Sequence, residues 1–101
     1  MGVQSNIDSS GKELTIKIGG RFDFSAHQEF RDAYENISTA VSRYVVDLGN
    51  TSYLDSSALG MLLLLRDHAG GDNASIKIVK CNEDVRKILT ISNFEQLFTI
   101  Q

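Results

Sequence analysis

A chain of 101 residues with a net charge of −3 has room for one domain with a single core, expected to span residues 1–101, and lacks the basic surface that nucleic acid or an anionic membrane would need. Its single cysteine, Cys81, excludes an internal disulfide, and the longest apolar run, Met61 to Leu65, falls far short of a membrane span. With no signal-peptide pattern, and Asn6 where a myristoylation motif beginning at Met1-Gly2 wants Ser or Thr, a cytoplasmic protein off the membrane is expected.

In chain order, Gly2 to Ile7 sets Val3, Ser5 and Ile7 against Gln4 and Asn6 and predicts an opening strand. Asp8-Ser9-Ser10-Gly11-Lys12 has hairpin-turn composition. Glu13 to Ile18 alternates again, with Leu14, Ile16 and Ile18 on one side, and Gly19-Gly20 is expected to end it. Ser25-x-x-Gln28 reads as a capping box for a helix whose stripe is Ala26, Phe30, Ala33, Tyr34 and Ile37. Ile37 to Arg43 then connects to Tyr44-Val45-Val46, a run expected to form a strand covered on both faces, followed by a turn at Asp47 to Asn50. Asp55, Ser56 and Ser57 stand directly ahead of an apolar helix reaching His68, with Ser56 as the expected N-cap and Ser57 as the first helical residue. Gly70-Gly71 breaks the chain, Ser75 to Lys80 alternates as another strand, and Asn82 caps a third helix expected to bury Val85, Ile88, Leu89 and Ile91. Phe94, Leu97, Phe98 and Ile100 pack the end of the chain. The order β-β-α-β-α-β-α-β makes an α/β domain. Its hairpin is antiparallel and its crossovers parallel, so the sheet is mixed, with about five strands and three or four helices.

The helix after Asp55 carries more apolar surface than one core-facing stripe uses. At about 100° per residue, Ala58, Leu59, Leu62, Leu63 and Leu65 form a core arc, while Gly60, Met61 and Leu64 fall in line with Ser57. Either the helix is sandwiched between the sheet and the tail of the chain, or the second line awaits another protein. The serines allow two readings as well, a helix cap or a modified hydroxyl. Asp23 and Asp55 are either helix-start aspartates favoured by the macrodipole or an acidic rim around a recognised serine. Catalysis finds no support, and no catalytic residue is assigned. His27, His68 and Cys81 lack metal-ligand spacing, no glycine-rich phosphate loop is present, and no cofactor is expected. A Ser56–His68–Asp47 triad fails because a helix sets His68 about 18 Å from Ser56 along its axis.

Val46-Asp47-Leu48 followed by Tyr53-Leu54-Asp55-Ser56-Ser57-Ala58-Leu59-Gly60 resembles the central motif of the STAS domain, and within it of the small bacterial anti-sigma factor antagonists. Gly20-Arg21-Phe22-Asp23 resembles the turn before that family's first helix, and Val85 to Phe98 its closing helix and Ile-Ser-Asn-Phe segment. Ala58 departs from the pattern, standing where the family usually has glycine, and the chain stops at Gln101, where many members continue into a further helix. The resemblance implies a non-enzymatic transcriptional regulator, monomeric when free, that binds an anti-sigma factor or serine kinase. Phosphorylation at Ser56, with Ser57 as the lesser candidate, would release it, and a phosphatase would reset it. The partner-binding set it implies, together with the helix wheel, is Asp23, Asp55, Ser57, Gly60, Met61 and Leu64. The alternative is a STAS regulatory subunit of a transport or signalling complex in which no phosphate cycles.

Overall fold

The computed structural model describes residues 2–37 and 41–101, so the connection expected from Ile37 to Arg43 lies partly outside the described residues, at 38–40. Strands β1 (Val3–Ile7), β2 (Glu13–Phe22), β3 (Arg43–Leu54), β4 (Ile76–Val79) and β5 (Thr99–Ile100) lie side by side in chain order, and helices α1 (His27–Glu35), α2 (Ser56–His68) and α3 (Glu83–Ile91) alternate with them. The hairpin β1–β2 is antiparallel and every later pair parallel, as the short first turn and long later connections require. The first turn is built by Asp8, whose carboxylate accepts from the Ser10 hydroxyl at 2.8 Å and from the Lys12 and Glu13 N–H groups at 3.3 Å.

One face of the sheet is buried and the other open. Leu14, Ile16 and Ile18 of β2, Val46 and Leu48 of β3 and Ile78 of β4 are at most 1% exposed. Their sequence neighbours Thr15, Lys17, Val45, Asp47 and Lys77 line the opposite face and are half-buried or exposed. Val45 therefore corrects the expectation of a strand covered on both faces. The helical layer closes over the buried side through a chain of rings: Phe22 meets Phe30 at 5.2 Å, Phe30 meets Tyr34 at 5.7 Å, and Tyr34 meets His68 at 4.9 Å. These contacts tie the end of β2 to α1 and α1 to the last turn of α2.

Both central strands run further than the sequence suggests. Gly19-Gly20 does not end β2, and Asp47 to Asn50 is not a turn. The Asp47 carboxylate does accept from the Gly49 N–H at 2.9 Å, but this local bond sits within a continuing strand. Between the pairs Lys17–Asp47 and Gly19–Asn50, β3 advances three residues for two on β2. Between Gly20–Thr51 and Arg21–Tyr53 it advances two for one. These are two bulges, each adding a residue to β3 and shifting its inward phase, so that Leu48, Thr51 and Leu54 point inward at intervals of three. Thr51, 2% exposed, meets the polar cost of the first bulge by donating its hydroxyl to the Ile18 carbonyl at 2.7 Å.

Three further expectations are corrected at helix ends. Ser25 does not open a capping box: Asp23 caps a 3-10 turn, Phe24–Ala26, that leads into α1, and Gln28 bonds Asp32 instead. Ile91 is 74% exposed and Ile88 half-buried, so Val85 and Leu89 carry the packing of α3. Leu97 is 38% exposed, while Phe94 and Phe98 stack at 5.4 Å and fill the end of the core.

Candidate functional site

Two parallel strands end together at the pair Phe22–Leu54, and each runs on into an aspartate that caps a helical segment. Asp23 and Asp55 are thereby set side by side at the carboxyl end of the sheet, the usual place for function in such folds. The Asp55 N–H reaches the Phe22 carbonyl at 3.4 Å, tying the start of α2 to the end of β2.

Asp55, and not Ser56, is the N-cap of α2. Its backbone is extended, and its carboxylate accepts from the Ala58 N–H at 3.1 Å and from the Ser57 hydroxyl at 2.6 Å. Ser56 becomes the first helical residue and Ser57 the second. The correction follows from charge: at an N-terminus a carboxylate is favoured by both the orphan N–H groups and the dipole, whereas a hydroxyl gains mainly from the hydrogen bond. The two serines are thus made unequal. Ser57 is half-buried with its hydroxyl spent on Asp55, while Ser56 is exposed and its side chain makes no hydrogen bond among the described residues.

The Ser57 hydroxyl, with smaller help from the Ala58 and Ser57 N–H groups, holds the Asp55 carboxyl below its ordinary pKa, against burial and the nearby charge of Asp23. Asp23 is held low in the same way, first by the Ser25 hydroxyl and N–H and then by Arg21 at 3.3 Å. A carboxyl whose folded pKa lies below its unfolded value of about 3.9 contributes its full stability above that value and loses it as pH falls through the lowered folded value. The difference in urea midpoint between wild type and Asp55→Asn is therefore expected to be constant near neutrality and to shrink only below about pH 4. A difference that stays constant down to pH 2 would remove the charge of Asp55 from the cap.

Of the remaining predicted residues, Gly60 and Leu64 are exposed on α2, Leu64 by 52%, but Met61 is 3% exposed and belongs to the core with Ala58, Leu62 and Leu65. Met61 is therefore withdrawn from the partner-facing set. Leu63, expected inside, is 39% exposed instead. The helix has rotated relative to the sequence wheel. Its outer line is Ser56, Gly60 and Leu63 at i, i+4 and i+7, with Leu64 alongside. Gly60 costs a helix interior roughly 1 kcal/mol against alanine, yet a side chain there would meet nothing within 4 Å. The fold itself has no packing use for the gap.

Sequence reasoning also missed Phe24 and Tyr53, 70% and 41% exposed at the same end of the sheet. Phe24 stacks on His27 at 5.2 Å, and the Arg21 guanidinium lies over the Tyr53 ring at 4.3 Å. The signal was present for Tyr53, since an inward Leu54 forces its strand neighbour outward. The arrangement offers one free hydroxyl at a helix N-terminus, an exposed apolar strip and an acidic, partly aromatic rim. Among the described residues no cluster of His, Cys, Asp and Glu could hold a metal ion, and no helix is long and apolar enough to cross a membrane.

Comparisons with known proteins agree with this fold. A family model described as "Mlab, STAS domain" matches residues 5–99. A STAS-domain containing protein of Pseudomonas aeruginosa (strain UCBPP-PA14) is 65% identical over 99% of both chains. Among solved structures, the unphosphorylated anti-sigma factor antagonist SpoIIAA superposes with a TM-score of 0.82 at 18% identity, covering 98% of this chain and 87% of that one. A sulfate transporter family protein from Wolinella succinogenes gives 0.72 at 12% identity, covering 90% of this chain and 83% of its own. At these identities the two structures speak for the fold alone.

Proposed function

Since the chain belongs to the STAS domain family, we propose that it is a regulatory binding module of the anti-sigma factor antagonist kind, cytoplasmic and without enzymatic activity of its own. The outer face of α2 docks on a protein partner, an anti-sigma factor or serine kinase, and phosphorylation of Ser56 releases it. The observation that carries this reading is the inequality of the serines: Ser56 is exposed and uncommitted at the head of the strip Gly60, Leu63 and Leu64, while Ser57 is locked to Asp55.

The switch follows from elementary electrostatics. The Ser56 oxygen attacks the terminal phosphorus of a nucleoside triphosphate, the diphosphate leaves, and the hydroxyl proton is lost. Hydrolysis by a phosphatase restores the serine. The helix tolerates the anion, because its N-terminus favours negative charge. A docked partner does not, because about two added charges beside Asp55 and Asp23 must then be desolvated or repelled.

A second reading, a STAS regulatory subunit of a transport complex, draws on the transporter-family neighbour. It uses the same face without a phosphate cycle. Intact-mass measurement and peptide mapping of protein isolated from its native cells separate the two. One phosphate on the peptide containing Ser56 is expected; protein that stays unmodified under all growth conditions, while co-purifying with transporter subunits, would favour the second reading.

A further inference from the structure

The sheet has two edges, and they are not alike. β5 is two residues long, whereas β1 presents a full five-residue strand, Val-Gln-Ser-Asn-Ile. The Gly19 N–H donates to the Gly2 carbonyl at 2.6 Å and the Asp8 N–H to the Glu13 carbonyl at 3.0 Å, so the backbones of residues 2 and 8 point toward β2. Alternation along the strand sends Gln4 and Asn6 the same way and turns the N–H and C=O groups of Val3, Ser5 and Ile7 outward. None of these outward groups meets another backbone group among the described residues.

Native sheets usually blunt such an edge with charge, proline or a bulge. β1 carries no charged side chain, the chain contains no proline, and the β1–β2 register is unbroken. The strand is also self-complementary about its centre: apolar, amide, small, amide, apolar.

We propose that the free edge of β1 is an interface between two copies of this chain. Val3–Ile7 pairs antiparallel with its counterpart about a two-fold axis at Ser5 and joins the two five-stranded sheets into one. In that register Val3 opposes Ile7 of the second copy and Ser5 opposes Ser5. All three outward-facing residues then fall at hydrogen-bonded positions, and every outward donor meets an acceptor. On the helix-covered side the intramolecular pairs Val3–Ile18 and Ile7–Leu14 extend into a row Ile18–Val3–Ile7–Leu14 that crosses the axis with half-buried residues at its centre. On the open side the row reads Lys17–Gln4–Asn6–Thr15, which keeps the two Lys17 side chains apart. An unrelated extended segment would satisfy the same hydrogen bonds, but the apolar match and the absence of like charges across the axis favour a second copy. The contact is narrow beside a standard interface of about 1,600 Å², so the dimer is reversible and fills at high protein concentration. This differs from the monomer that the family resemblance implies; a period-two pattern specifies the two faces of β1 and not its edge.

Sedimentation equilibrium of the purified chain at rising concentration tests the pairing. The weight-average mass is expected to climb toward twice that of the monomer, and Ser5→Lys, which sets two ammonium groups against each other on the axis, to weaken association at least tenfold with an unchanged circular dichroism spectrum. In a Cys81→Ser background, Ser5→Cys is expected to give a disulfide-linked dimer on mild oxidation, because opposed residues at such a position have Cα atoms about 5.5 Å apart, whereas Ser52→Cys is not. A wild-type chain that stays monomeric at every concentration, including one that pairs only with an added extended peptide, overturns the proposal. So does association undiminished in a folded Ser5→Lys variant. Should Ser5→Lys disturb the fold, the Ser5→Cys cross-link decides alone.

Discussion

Ser56→Asp is expected to bind the partner at least a hundredfold more weakly than Ser56→Ala, while the two variants differ little in stability. Because Asp55 is the cap, Ser56→Ala removes no capping bond and replaces an exposed first-turn residue with a better helix former. Its stability should stay within about 0.5 kcal/mol of wild type. The sequence, with Ser56 placed as the cap, leads one to expect a loss of about 0.5–2 kcal/mol. Aspartate at the same position gains about 0.3–1 kcal/mol from the helix dipole and loses some of that to repulsion from Asp55. At the docked face the same charge is unpaired. About 2.7 kcal/mol of burial cost is a hundredfold in affinity, within the range seen for uncompensated interfacial charge. Calorimetry of both variants against the partner measures this directly. Tighter binding by Ser56→Asp would reverse the proposed direction of the switch, and equal binding by both would detach Ser56 from it.

The second large effect separates the two sides of α2. Met61→Ala removes a side chain that is 3% exposed within the core and should destabilise the fold by about 2–5 kcal/mol. Leu64→Glu, at a position 52% exposed, should change stability by no more than about 0.5 kcal/mol and abolish partner capture. Urea unfolding and a pull-down, run on both variants, give the two readouts. If Leu64→Glu unfolds the protein, or if Met61→Ala leaves its midpoint unmoved, the helix is turned the other way and the strip named here is not the docking face.

The alternation of β1, β2 and β4 determined three of the five strands within a few residues, because period two against a single core leaves little choice of face. Asn82 was legible as the cap of α3 from its place ahead of an apolar run, and its side chain does accept from the Val85 N–H at 2.8 Å. The paired Asp-Ser-Ser was legible as a helix start. What the sequence reading misplaced was the cap, expected at Ser56 and found at Asp55, and there geometry decided. The bulges in β3 carry Leu54 inward and leave Asp55 extended at the turn, anchored to Phe22, so its carboxylate reaches the first-turn N–H group.

The rotation of α2 was not legible for a related reason. Leu59 and Leu62 to Leu65 surround most of the helix with similar side chains, and a wheel without a polar side has no preferred direction. Its rotation is fixed from outside, by the phase in which β3 delivers the chain and by the Tyr34–His68 contact at the far end. By itself the sequence determined the fold class, the mixed sheet and the place of the serines. Only the tertiary structure decided that Met61 lies inside, that Leu63 lies outside and that, of the paired serines, Ser57 is bonded to Asp55 while Ser56 is exposed. Those three facts depend on bulges and caps, where a one-residue shift in backbone phase exchanges what is buried for what a partner can touch.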